Sequence, residues 1–254
     1  MRHLWIIALN TLAEARHNKV LHVASGFAAI LIVFSFFMGE VSLYQNAKVV
    51  EDVGMATISL LGVFVAIFLG VNSLYRELQL RTIYTIICKP ISRFEIMLGK
   101  YIGMVMVLTI VVALMTIVLF ATTFVLEFQI DYQILPAIGL ILVEQFIVAA
   151  IAVLFSSFST PFLSGFFTAG LFLIGRVSHE LGEFGGRSKN ITFKYFATGA
   201  QKFFDLNAFN LRAEVIHHLP IYAEDFWLPV AYGFFAIGLL LFASIIFFSK
   251  RDLK

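Results

Sequence analysis

Charge is what this sequence has least of. Asp, Glu, Lys and Arg make up only 13% of its 254 residues while 60% are hydrophobic, against about 25% and 45–50% in a typical soluble domain. A water-soluble globular enzyme is a poor fit to that balance. Cysteine is nearly absent, and Cys88 alone excludes an intrachain disulfide. The net charge of +2 is too small to suggest nucleic acid as a partner. No cleavable signal peptide is expected, because residues 1–19 are too polar and no small-residue cleavage site follows promptly.

Catalytic motifs are missing as well. A phosphate-binding loop needs G-x-x-x-x-G-K-[ST], whose backbone amides cradle phosphate, and Gly99-Lys100-Tyr101 lacks both the upstream loop and the hydroxyl. The chain is therefore expected to be no enzyme, with no catalytic residues and no cofactor of its own. His179-Glu180-Leu181-Gly182-Glu183 approaches the H-E-x-x-H pattern of a zinc protease, but Glu183 replaces the second imidazole and Gly182 weakens the helix. His179 and Glu183 could still hold a cation at i,i+4, or be ordinary loop residues. His217 and His218 diverge by about 100° on a helix, so a loop-side pair is favoured over a metal site.

What the chain does have is apolar runs of about 20 residues, each long enough to cross a hydrocarbon core of about 30 Å. Six spans are expected, at about residues 20–38, 55–73, 101–124, 136–155, 162–175 and 226–248. The fold class is an all-α integral membrane protein, a single transmembrane domain over residues 1–254. Residues 1–19 should form a helix lying flat at the interface, with Leu4, Trp5, Ala8, Leu9 and Leu12 on one side, or a plain extension of the first span. Pro136 suits the first turn of the fourth span. Residues 39–54 and 125–135 read as external connections. The longest polar stretch, 176–225, reads as an external loop with short or re-entrant helices near 192–204 and 207–218.

Orientation comes from Lys and Arg, which are enriched in cytoplasmic connections. Arg76, Arg81, Lys89, Arg93 and Lys100 crowd into residues 74–100, between the second and third spans. Arg2, Arg16, Lys19, Lys250, Arg251 and Lys254 place both termini on that same side. The basic residues Arg187, Lys189, Lys194, Lys202 and Arg212 of the long loop run against the rule, which is weaker for long loops. Within 74–100, Pro90 interrupts a helix-compatible stretch, and Ser92 with Glu95 fits a capping box that starts a new helix near Arg93. The result is a bent elbow, suited either to receiving a soluble partner or to anchoring two spans at the interface.

The residues Glu77, Arg81-Thr82, Lys89-Pro90-Ile91-Ser92-Arg93, Glu95 and Gly99-Lys100 resemble the cytoplasmic signature of ABC type-2 (exporter-type) permeases. Within that superfamily the pattern is most similar to the six-span permeases of the nitrous-oxide-reductase maturation transporter group. Arg81 stands where many members have Gly, which places the match in a subgroup. The tail Phe248-Ser249-Lys250-Arg251-Asp252-Leu253 is also similar to the family's basic end. The resemblance implies a permease subunit in a bacterial inner membrane, paired with a second, identical or related copy. Two cytoplasmic ABC ATPase subunits, which bind ATP and Mg, would dock on the elbow through Tyr75, Arg76, Glu77, Arg81, Thr82, Pro90, Arg93 and Glu95. It leaves open whether the complex exports a lipid-like or hydrophobic cargo or transmits force to an external partner protein.

One carboxylate breaks the apolar pattern. Glu144, with Gln145 beside it, sits well inside the fourth span, where a charge costs at least a few kcal/mol. It should therefore face other helices or a cavity. It could line a translocation path with Gln145, serve an ion-coupled carrier or channel, or hydrogen-bond a Ser, Thr or Asn such as Asn72.

Overall fold

The computed structural model describes residues 2–17, 46–79, 93–128, 131–187, 199, 205–217, 219, 220 and 222–250, together with 26, 27, 29–31, 33, 34 and 37. For 2–4, 15–17, 46, 47, 73–79, 93, 127, 179, 181–187, 249 and 250 only the backbone is described. Its long elements are α1 (Arg2–His17), α2 (Asn46–Gln79), α3 (Arg93–Glu127), α4 (Ile134–Phe158) and α5 (Pro161–Arg187). A 3₁₀ turn (Asn207–Phe209), the short α6 (Arg212–Ile216) and the long α7 (Ala223–Lys250) follow. All described secondary structure is helical. Among the described residues, five helices are long and apolar enough to cross a membrane: α2, α3, α4, α5 and α7. The first expected span, 20–38, lies largely outside the described residues, although Phe27 and Leu31 are helical and wholly buried.

α4 is the axis of the bundle. It packs against α2, α3, α5 and α7, and Leu140, Ile151 and the run Val148, Ala149, Ala150 have no exposed surface. Its small residues let neighbours approach closely, which is how helices associate where lipid is as apolar as leucine. A Cβ on Gly70 of α2 would collide with Ala152, and one on Gly62 would collide with the Gln145 amide. α1 closes on α3 in the same way: a Cβ on Gly103 would lie 2.6 Å from Thr11 Cβ and 2.8 Å from the Ala8 carbonyl. Ala8 is buried there, while Trp5, Ile6 and Leu9 stay exposed. The apolar side expected on α1 is thus shared between α3 and the surroundings.

Several threonine hydroxyls inside the spans are satisfied within their own helix. Thr57, Thr109, Thr116, Thr122 and Thr168 each donate to the carbonyl four residues back, which removes the cost of an unpaired donor in an apolar medium.

Several expected boundaries are corrected. Residues 46–54, expected in a connection, belong to α2, whose turn there is held by the buried Val50 and by Asp52 bonded to Arg212. α5 continues to Arg187, well past the expected end at 175, so 176–187 is helix rather than the start of a loop and Gly182 does not break it. α3 begins at Arg93 and Pro136 lies in the first turn of α4, both as expected. The expected helix near 207–218 is divided into the 3₁₀ turn and α6. The one near 192–204 lies outside the described residues.

Candidate functional site

Residues 205–217 sit over one end of the bundle, called the cap end below; the end of α2 and the start of α3 lie at the opposite end. Just beneath the cap, three spans meet at a polar knot. Glu144 on α4 has no exposed surface, and its Oε1 accepts a 2.7 Å hydrogen bond from Nη1 of Arg176 on α5. Its other oxygen, Oε2, accepts from Ser59 Oγ of α2 at 3.4 Å. Both carboxylate oxygens are therefore engaged, and the guanidinium supplies the countercharge that a buried carboxylate requires. One residue on, Gln145 Nε2 donates to the Ile58 carbonyl at 3.2 Å, while its Oε1 is buried without a hydrogen-bond partner. Adjacent positions on a helix point about 100° apart, yet both reach α2 because the bare face at Gly62 admits the Gln145 amide.

The cap holds on at several points. Leu206 N–H donates to the Gly175 carbonyl on α5 at 3.1 Å, and Ser178 Oγ donates to Asp205 Oδ1 at 3.1 Å. Arg212 donates twice to Asp52 Oδ1 on α2, at 2.7 and 3.2 Å. Phe209 is wholly buried and lies against α7, where a Cβ on Gly233 would be 3.3 Å from the Phe209 ring and 2.6 Å from Val143. Between the cap and the start of α7 runs a groove of about 680 Å³ whose lining includes Asp205, Glu214, Glu224 and Asp225, with no basic residue among the described residues.

The sequence-predicted site residues are distributed as follows. Glu144 and Gln145 come together with Ser59 and Ile58, and not with Asn72, which donates to the Phe68 carbonyl of its own helix. Glu95 is partly buried in the first turn of α3. Tyr75, Arg76 and Glu77 lie on the last turns of α2 and Arg93 at the start of α3, with only their backbones described. Arg81, Thr82 and Pro90 lie outside the described residues, as do Cys88 and the tail 251–254. Lys100, counted among the basic residues of the elbow, is buried on α3. Sequence reasoning missed Arg176, which it assigned to a loop. The available signal was that Arg176 is the first charged residue after the fifth apolar run, and Glu144 is the only one inside the fourth.

The sequence model of the family described as ABC-2 family transporter protein matches residues 5–177, about two thirds of the chain. The match runs from α1 to the polar knot and includes both Glu144 and Arg176; the cap and α7 lie beyond the matched residues. A search among curated proteins returned no match.

Proposed function

We propose that this chain, which belongs to the ABC-2 transporter family and is a multi-pass membrane subunit of an ABC transporter, is a permease driven by a separate soluble ATPase docked on residues 74–100. The observation that carries this reading is the family match across residues 5–177, which spans the whole charged elbow. Two permeases, identical or closely related, and two ATPases would make up the working unit. The elbow side would be cytoplasmic by its Lys and Arg content, with the cap outside, both termini inside and residues 20–38 completing six spans. Within the family, the residues of the elbow and tail favour the six-span group of the nitrous-oxide-reductase maturation transporter.

In this mechanism, ATP-driven closure of the ATPases pushes on the ends of α2 and α3, where Tyr75, Arg76, Glu77, Arg81, Thr82, Pro90, Arg93 and Glu95 form the contact. α2 carries that push to α4 through the close approaches at Gly70 and Gly62. Export of a lipid-like or hydrophobic cargo suits the apolar helix faces. Glu144 and Gln145, the candidate path residues, are sealed in the knot and would meet cargo only if α4 and α5 parted, which the contacts at the cap end oppose.

A second reading within the same family is transmission of force to an external partner. The carboxylate-lined groove beside the cap favours it, since a basic segment of such a partner would find acceptors there. Affinity purification of the tagged chain from its native membranes tests the main proposal. A stoichiometric ATP-binding subunit should copurify; recovery of the chain alone would count against it.

A further inference from the structure

The short segment 205–216 touches four of the five long apolar helices. Leu206 and Asp205 hold the end of α5 through Gly175 and Ser178. Arg212 holds Asp52 on α2. Phe209 fills the crease between Val143 of α4 and Gly233 of α7, with its ring centroid 6.3 Å from that of Tyr232. Leu206, Phe209, Leu211 and Val215 are all buried, so the segment is anchored by apolar side chains as well as by hydrogen bonds. Beneath it, Ser59, Glu144 and Arg176 join α2, α4 and α5 a second time. Two independent layers of contact therefore cross the same helix boundaries at the same end.

We infer that the cap binds the cap-end halves of α2, α4, α5 and α7 into one rigid unit, so that opening on that side takes place between such units and never inside one. Packed interiors switch between discrete arrangements and do not stretch. Parting α2 from α5 here would have to break the knot and also one of the cap's anchorages, either Arg212–Asp52 or the bonds of Leu206 and Asp205 to α5, and parting α4 from α7 would have to withdraw a buried phenylalanine. A hinge within the unit is thereby disfavoured, and a seam between two copies becomes the place where the parts can move. The opening itself rests on the permease reading above; the rigidity does not.

Two measurements separate the two claims. In a Cys88→Ser background, spin labels at Val49 and Ala208, both exposed, report distances within one unit, and a label at Ala208 alone reports the distance between copies. The full complex with its ATPase, in lipid nanodiscs, is compared without nucleotide and with ATP. The expected result is an unchanged Val49–Ala208 distance and a shifted Ala208–Ala208 distance. A nucleotide-dependent shift in Val49–Ala208 would overturn the inference. Hydrogen exchange on the chain without ATPase is the second measurement. The Leu206 and Val215 amides should exchange as slowly as those in the middle of α4, and exchange as fast as at the helix ends would also overturn it. If nucleotide moves no distance at all, the permease reading is what fails, and hydrogen exchange alone decides the rigidity of the cap.

Discussion

Arg176 Nη1 lies 2.7 Å from Glu144 Oε1, and the carboxylate of this pair has no exposed surface while the guanidinium side chain is 23% exposed. The asymmetry sets what each partner costs to remove. Glu144 is committed to the interior of the bundle. Arg176, near the end of its apolar stretch, can reach the polar region along its own alkyl stem.

Removing one charge of this pair should cost about 3 kcal/mol, because a partly buried ion is left without its partner. Arg176→Gln is expected to lower thermal stability in detergent more than Glu144→Gln, since it leaves a wholly buried carboxylate without its countercharge, whereas an unpaired Arg176 can reach the polar region. The double variant Glu144→Gln/Arg176→Gln should recover part of the loss, with a coupling of about 1–3 kcal/mol. Strict additivity in thermal unfolding would show that the pair is not coupled.

The Gln145–Gly62 contact gives a steric prediction. Gly62→Ala places a methyl group on the Gln145 amide and should destabilise the α2–α4 packing by about 1–3 kcal/mol. Gln145→Ala should relieve much of that, so the double variant is expected to be more stable than Gly62→Ala alone. Unfolding midpoints of the three variants decide the matter.

In the cap, burial outweighs charge. Phe209→Ala should cost about 3–5 kcal/mol, as expected for a fully buried ring. Arg212→Ala, which breaks a pair whose carboxylate is 47% exposed, should cost no more than about 1 kcal/mol. Limited proteolysis of the chain in nanodiscs reads both: cleavage near the cap should rise sharply only for Phe209→Ala.

At the elbow, reversing charge with Glu77→Lys and Arg81→Glu should abolish copurification of the ATPase while leaving the yield of the membrane chain unchanged. Intact copurification and intact ATP hydrolysis by the complex would remove these residues from the docking surface.

Much of the helical layout is legible in the sequence, because runs of apolar residues about 20 long have few physical interpretations. Pro136 lies in the first turn of its helix through local backbone chemistry, which short-range pattern captures, and the described α3 begins at Arg93, where a start was expected. Helix ends are harder. Residues 46–54 and 176–187 look like polar connections, yet both continue their helices, since α-helical hydrogen bonding does not stop where hydropathy falls. The site was half visible. A buried Glu144 demands a partner, but the choice of Arg176 and Ser59 over Asn72 depends on how three helices rotate about one another. Periodicity along one chain does not carry that information. The role of Gly62 was hidden for the same reason, since a glycine reveals a close approach only when its neighbour is known.

The most direct test of the account is ATP hydrolysis and solute flux in vesicles, measured with the purified chain by itself and then with its soluble partner ATPase. The chain alone should neither hydrolyse ATP nor move solute, and addition of the partner should confer nucleotide-dependent activity that Glu77→Lys/Arg81→Glu abolishes. Sustained hydrolysis or flux from the chain alone would contradict it.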